Sequence, residues 1–223
     1  MVTLPLSSDD IIVIAKQVGL DDVAIVAPCR LNEDARFMDD WVSRGLHGQM
    51  TYLERNREKR YDPRELVDDC RTMVIGVLTY EHSGHDYHRA VKSKLYDLYG
   101  KLAEYHPELL DGKQRIFCDS APVLERRWAE IAGLGTIAKN HQLVHRTLGS
   151  WVHIGELMLP LALAERKADG AIHQLPCSSC SLCEDACPGK ALSGEWNATR
   201  CVAYVTHKCI VCQQVCPLNN HVI

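Results

Sequence analysis

The chain has 223 residues and a formal net charge of −4, with 46% hydrophobic and 24% charged residues, proportions of an ordinary globular protein with one substantial core and a small appendage. Its negative balance argues against general polyanion binding, so any contact with nucleic acid needs a local basic patch. No apolar run approaches the roughly 20 residues that cross a bilayer, and Met1–Asp10 has no basic residue ahead of an apolar stretch, so neither a membrane span nor a signal peptide is expected. A cytoplasmic location follows, where thiols stay reduced, and eleven cysteines there argue for metal rather than disulfides.

In chain order, Asp9 or Asp10 is expected to cap a first helix ending at Gly19, followed by a short apolar strand from Val23 to Ala27. Asn32 is expected to cap a second helix with Phe37, Trp41 and Val42 on its apolar face and Gly45 closing it. Met73 to Tyr80 reads as a buried central strand. Tyr87 to Tyr105 has helical spacing, with Val91, Leu95, Leu98, Tyr99 and Leu102 on one face. Arg115 to Asp119 is a second short strand, Ala121 to Ala132 a helix closed by Gly133, and Trp151 to Leu159 a further strand. The evenly spaced His82, His85 and His88 raise a metal site, but Gly84 and polar neighbours favour a solvated loop. Cys29, Cys70 and Cys118 read as small buried hydrophobes.

Eight of the eleven cysteines lie between Cys177 and Cys216. They run Cys177-x2-Cys180-x2-Cys183-x3-Cys187-Pro188, then Cys201, then Cys209-x2-Cys212-x3-Cys216-Pro217. Such spacing wraps one [4Fe–4S] cubane with three thiolates while the cysteine before proline turns to the other cluster. The expected assignment is therefore crossed: Cys177, Cys180, Cys183 and Cys216 on one cluster, Cys187, Cys201, Cys209 and Cys212 on the second. Zinc sites commonly use paired C-x2-C knuckles instead. Two oxidised clusters, each contributing about −2, take the net charge to about −8.

A further set of motifs precedes the cysteines. It comprises Trp41-x3-Gly45-Leu-His-Gly48-x-Met50-x-Tyr52-Leu, Glu58-Lys59-Arg60-x-Asp62-Pro63, Asp86-Tyr87-His88, Asp119-Ser-Ala-Pro122-Val-Leu-Glu125-Arg126, Ala132-Gly133-Leu-Gly135 with Lys139-Asn140, and Gly149-Ser-Trp151 with Gly155-Glu156. In this order, ahead of the cysteine pattern, the chain resembles the epoxyqueuosine reductase family from about Trp41 to Pro217. The resemblance implies an α+β fold: a nitroreductase-like corrinoid-binding domain over residues 1–170, then a bacterial ferredoxin-like double-cluster module over residues 171–223. It implies cobalamin as a further cofactor, a flavodoxin- or ferredoxin-type external electron donor, and tRNA as a possible partner. It also implies Asp119 as the proton donor in reduction of an epoxide to an alkene, and Arg60, Asp119, Leu143 and Ile154 as cobalamin contacts.

Read from the residues alone, Asp119 or Ser120 is a helix N-cap ahead of Pro122, Arg60 a solvated charge, and Leu143 and Ile154 ordinary core. Lys139 and Asn140 sit in a Gly-rich turn suited to close approach by a ligand. Three departures mark a short form of the family. The segment between Tyr80 and Asp86 is shortened, seven residues separate Cys201 from Cys209, and no helical-repeat domain precedes Ile223. The expected function is a cobalamin-dependent reductase acting on epoxyqueuosine in tRNA. The alternatives are a corrinoid-dependent reductase of a small molecule and a ferredoxin-type protein that reduces a partner.

Overall fold

The computed structural model describes residues 6–168, 177, 179–206 and 208–219; the expected domain boundary near residue 170 lies outside them. Helix α1 (Ser8–Gln17) is capped by Ser7, whose hydroxyl accepts the Asp10 N–H at 3.2 Å, while the Asp10 carboxylate accepts the Ser7 N–H at 3.0 Å. Asp10 thus closes a reciprocal capping box rather than occupying the cap itself. Strand β1 (Asp22–Val26) follows, then α2 (Asn32–Ser43), which begins at Asn32 with Leu31 in the cap position. Trp41 and Val42 are buried as expected, whereas Phe37 is about half exposed.

Short helices α3 (Arg57–Tyr61) and α4 (Pro63–Leu66) lead into β2 (Thr72–Thr79), and α5 (Tyr80–Ser83) into α6 (Tyr87–Tyr105). Helix α6 has the bounds its sequence predicts, because Asp86 caps it by accepting the Arg89 N–H at 3.1 Å and its apolar residues recur on one face. The remaining elements are β3 (Arg115–Phe117), α7 (Glu125–Ile131), β4 (Gly135–Ile137), β5 (Leu143–His145), β6 (Val152–Leu159), α8 (Leu182–Ala186), α9 (Val202–Thr206) and α10 (Val211–Gln214).

One sheet of order β1–β2–β6–β3, antiparallel throughout, forms the centre, with β4 and β5 as a separate hairpin. Successive side chains alternate between its faces. Ile25, Val74, Leu78 and Leu157 meet α1 and α6 on one face. Val26, Ile75, Ile154 and Met158 meet Trp128 and Ala129 of α7 and Leu143 of the hairpin on the other. Both central strands are apolar because both faces are covered. Gly76 pairs with Gly155 across β2 and β6, and a Cβ on Gly155 would stand 2.5 Å from Val91 of α6. The pair lets the long helix lie close against the sheet.

The cysteine-rich segment is bound to this body by specific hydrogen bonds. The Trp41 indole N–H donates to the Trp196 carbonyl at 2.6 Å, and the Ala198 N–H to the Leu46 carbonyl at 2.9 Å. Further along, Asn219 Oδ1 accepts the Ser150 N–H at 2.6 Å and Gln213 Nε2 donates to the Ser150 carbonyl at 2.9 Å. Gly149, at φ 70°, makes the Asn219 contact possible, since a Cβ there would stand 2.5 Å from Asn219 Oδ1. Gly149→Ala combines left-handed strain with this clash, so a loss of stability above about 1 kcal/mol is expected. Gly194→Ala, where the space is open, carries the strain alone. Equal melting temperatures for the two variants would show that the Asn219 contact does not fasten the segment.

Candidate functional site

A cleft of about 640 Å³ opens on the α7 side of the sheet, lined by Phe37, Trp41, Tyr52, Tyr80, Tyr87, Asp119, Glu125, Leu143, His153, Ile154 and Trp196 among others. Three of the four expected cofactor residues, Asp119, Leu143 and Ile154, therefore share one wall. Arg60 does not line it. Its guanidinium is buried beneath the turn before α3, where it donates to the carbonyls of Leu53 and Arg55 at 3.1 Å and of Tyr52 at 3.2 Å. Burial lowers its pKa from the usual arginine value. Arg60 is thus neither a solvated charge nor a wall residue; it shapes the turn that presents Tyr52 and Leu53.

Asp119 follows β3 with φ 54°, a left-handed conformation that aspartate tolerates better than most residues. It caps no helix: α7 starts at Glu125, with Leu124 in the cap position. The loop from Ser120 to Leu124 instead presents the carboxylate to the cleft. Tyr87 Oη donates to Asp119 Oδ2 at 2.9 Å, and the Asp119 N–H donates to Glu125 Oε1. Burial and the Asp119 bond push the Tyr87 phenol up, so it stays a donor. The Tyr87 ring stacks on His153 at 4.0 Å, and Tyr80 covers the other face of His153 at 4.2 Å. Burial between these rings lowers His153 to about 4, which leaves a neutral imidazole at physiological pH.

Two carboxyls lie behind Asp119. Burial, with the Asp119 charge adding to it, raises Glu125 to about 8. Glu156 is completely buried in β6, and neither carboxyl oxygen has a hydrogen-bond partner among the described residues. Burial first, then Glu125 and Asp119, raises it well above the ordinary value. The unfolded chain ionises this carboxyl near its ordinary pKa while the fold keeps the proton. The associated loss of stability is therefore absent at low pH and grows as pH rises toward the folded-state value. Glu156→Gln is expected to raise the melting temperature at about pH 8, with the gap narrowing toward about pH 4. A gap that does not change with pH would contradict a protonated Glu156.

The cysteines form two groups. Cys177, Cys180, Cys183 and Cys216 line one cavity, and Cys187, Cys201, Cys209 and Cys212 line a second. Burial, then the neighbouring Cys201 and Cys209, raises the Cys212 thiol to about 11, and burial and Cys177 and Cys180 raise Cys216. Four thiols crowded in this way ionise only with a compensating metal charge. Among the described residues, no three His, Cys, Asp or Glu side chains converge on the position of a single ion.

Lys139 and Asn140, expected near a ligand, grip these loops. Lys139 Nζ donates to the Cys180 carbonyl at 2.9 Å, and Asn140 Nδ2 to the Cys212 carbonyl at 3.3 Å. Arg126, His141, Gln142 and Trp196 line both the cleft and the second cysteine cavity. The evenly spaced histidines diverge: His82 Nδ1 bonds Asp21 at 2.7 Å and His88 Nδ1 the Cys118 carbonyl at 2.9 Å. Cys70 and Cys118 are buried as expected, but Cys29 is exposed.

No family model matches the chain. Among solved structures it shares its fold with a reductive dehalogenase described in terms of B12-dependent dehalogenation, at TM-score 0.53 and 17% identity over 98% of this chain and 33% of the other. It also matches a crystal structure of epoxyqueuosine reductase holding an epoxyqueuosine-modified tRNA-Tyr stem loop, with TM-score 0.79, 25% identity and coverage of 95% of this chain and 65% of that one. This mixed helix-and-sheet architecture is thus common to two kinds of reductase. An epoxyqueuosine reductase from Leadbetterella byssophila is 34% identical over 92% of this chain and 78% of that relative. The chain belongs to the epoxyqueuosine reductase family, a family of oxidoreductases.

Proposed function

We propose that the chain is a cobalamin-dependent iron–sulfur reductase that converts epoxyqueuosine to queuosine in tRNA, acting in the cytoplasm. The observation that carries this reading is the juxtaposition of a cysteine quartet with the Asp119 cleft across the shared wall of Arg126, His141, Gln142 and Trp196. Residues 1–170 act as the nitroreductase-like corrinoid-binding domain and residues 171–223 as the ferredoxin-like module. The open, aromatic and aliphatic cleft suits a corrin face, held by Phe37, Tyr52, Leu143 and Ile154, with Arg60 acting through the turn it supports. When bound, the corrinoid supplies a strongly reducing centre and the two clusters supply single electrons to it.

The protein's own part is binding, orientation and proton supply. Tyr87 holds Asp119, and Asp119 gives a proton to the reacting epoxide. The first quartet, Cys177, Cys180, Cys183 and Cys216, borders the second through Asn140 rather than bordering the cleft. It is the entry point for a flavodoxin- or ferredoxin-type donor.

Anaerobic reconstitution with iron, sulfide and cobalamin tests the reading. Close to eight irons and eight labile sulfides per chain are expected, with corrinoid retained through gel filtration. Zinc as the dominant metal with little sulfide would contradict it. With a net charge of −4, affinity for bulk tRNA is expected to be weak and to fall steeply with salt. A tight complex insensitive to salt would show a recognition surface of another kind.

A further inference from the structure

Resting on that reading, a proton balance exposes a gap in the site as described. Reduction of an epoxide to an alkene takes up two electrons and two protons: both C–O bonds break, a C=C bond forms, and the oxygen leaves as water. The electrons come from the external one-electron donor protein, two per turnover. On that reading Asp119 delivers one proton, so a second group must deliver the other.

The residues around Asp119 contain such a group. Glu125 lines the cleft, and its Oε1 accepts the Asp119 backbone N–H, which fixes the Glu125 carboxyl against the loop that carries Asp119. Val152 and Ile154 line the same cleft, and Glu156 is the next residue on that face of β6. It therefore lies just past the cleft wall, wholly buried with both oxygens unpartnered among the described residues. A buried carboxyl without a partner weakens the fold, and packing alone gives no reason to keep it. The groups facing the pair are Asp119 and Cys118 after β3, Tyr87 and Lys92 from α6, and Arg126 beside Glu125. Burial raises Glu125 to about 8 and Glu156 well above the ordinary value, so both hold protons at neutral pH.

We propose that Glu125 delivers the second proton to the departing oxygen and that Glu156, behind it, is the store that refills it. Each proton leaving Glu125 is replaced from Glu156, and Glu156 is recharged between turnovers through Glu125, which reaches the cleft. The two carboxyls end each cycle as they began.

Single-turnover reduction by pre-reduced, cofactor-loaded protein tests the assignment. The wild-type rate is expected to fall as pH rises through about 8. Glu125→Gln is expected to lower the rate by about 10²-fold or more and to abolish that alkaline fall. Glu125→Asp, which keeps a titrating group, should restore the fall. Glu156→Gln should slow repeated turnover more than the first. Infrared spectra at neutral pH supply a readout independent of activity: each Gln variant should lose a protonated-carboxyl band present in the wild type. The bands are measured whether or not the wild type reduces the epoxide, so failure of the substrate reading is told apart from failure of this one. Wild-type rate with its alkaline fall intact in Glu125→Gln, or no carboxyl band lost in either variant, overturns the proposal.

Discussion

Asp119→Asn is expected to lower turnover by about 10²–10⁴-fold, the range for loss of general acid catalysis, while leaving metal content and melting temperature near those of the wild type. The substitution isolates the proton. Asparagine also tolerates the left-handed φ of 54°, its amide oxygen can still accept from the Tyr87 hydroxyl, and the backbone N–H still reaches Glu125. Asp119→Ala lacks these matches and adds backbone strain of about 1 kcal/mol, so it loses stability as well as rate. A capping role would have predicted little change in Asn and a loss of stability in Ala, but α7 begins too late for Asp119 to cap it. Full activity in Asp119→Asn with a substrate that is demonstrably reduced would falsify the role of Asp119 as the donor.

Cys216→Ala is expected to leave about four of eight irons and to lower donor-driven turnover to background. Cys216 is four residues from Cys212, yet it lines the cavity of Cys177, Cys180 and Cys183. The electron paramagnetic resonance signal that survives in Cys216→Ala should therefore match the one that survives in Cys180→Ala. The signal left in Cys201→Ala should match that left in Cys187→Ala and differ from the first. If Cys216→Ala pairs with Cys209→Ala instead, the crossed assignment is wrong. Loss of either cluster interrupts the route, so both classes stop turnover with the natural donor. A strong chemical reductant should rescue Cys216→Ala more fully than Cys201→Ala, because the Cys201 cavity shares its wall with the cleft.

What could be read from the chain was set by how local each signal is. The cysteine spacing is local, and the two quartets form around the segments that carry it. Helix α6 and strand β2 were also legible, since each has its cap or its unbroken apolar run within its own length. The start of α7 was not: Pro122 resembles a first helical residue, but the backbone there is committed to the loop that displays Asp119. The β4–β5 hairpin was missed because strands of three residues carry almost no periodic signal, and Gly135 is required only by the close approach of Val144. The resemblance made Arg60 a cofactor contact and the residues alone made it a solvated charge, because sequence shows a charge but not its partners, here three carbonyls of one turn. Glu156 was read from the sequence only as part of a motif in the strand that became β6. Its meaning depends on Glu125 and Asp119, which only the fold brings beside it.

Trp196 belongs to the cysteine-rich segment yet forms part of the cleft, stacked on Trp41 at 5.6 Å and 13°. On the proposed function, the consequence concerns biogenesis. Trp41 holds Trp196 by the stack and by the indole bond to its carbonyl, so the wall of the cleft and the fold of the cysteine-rich segment are built together. Damage that disturbs this segment would then also weaken retention of a corrinoid in the cleft.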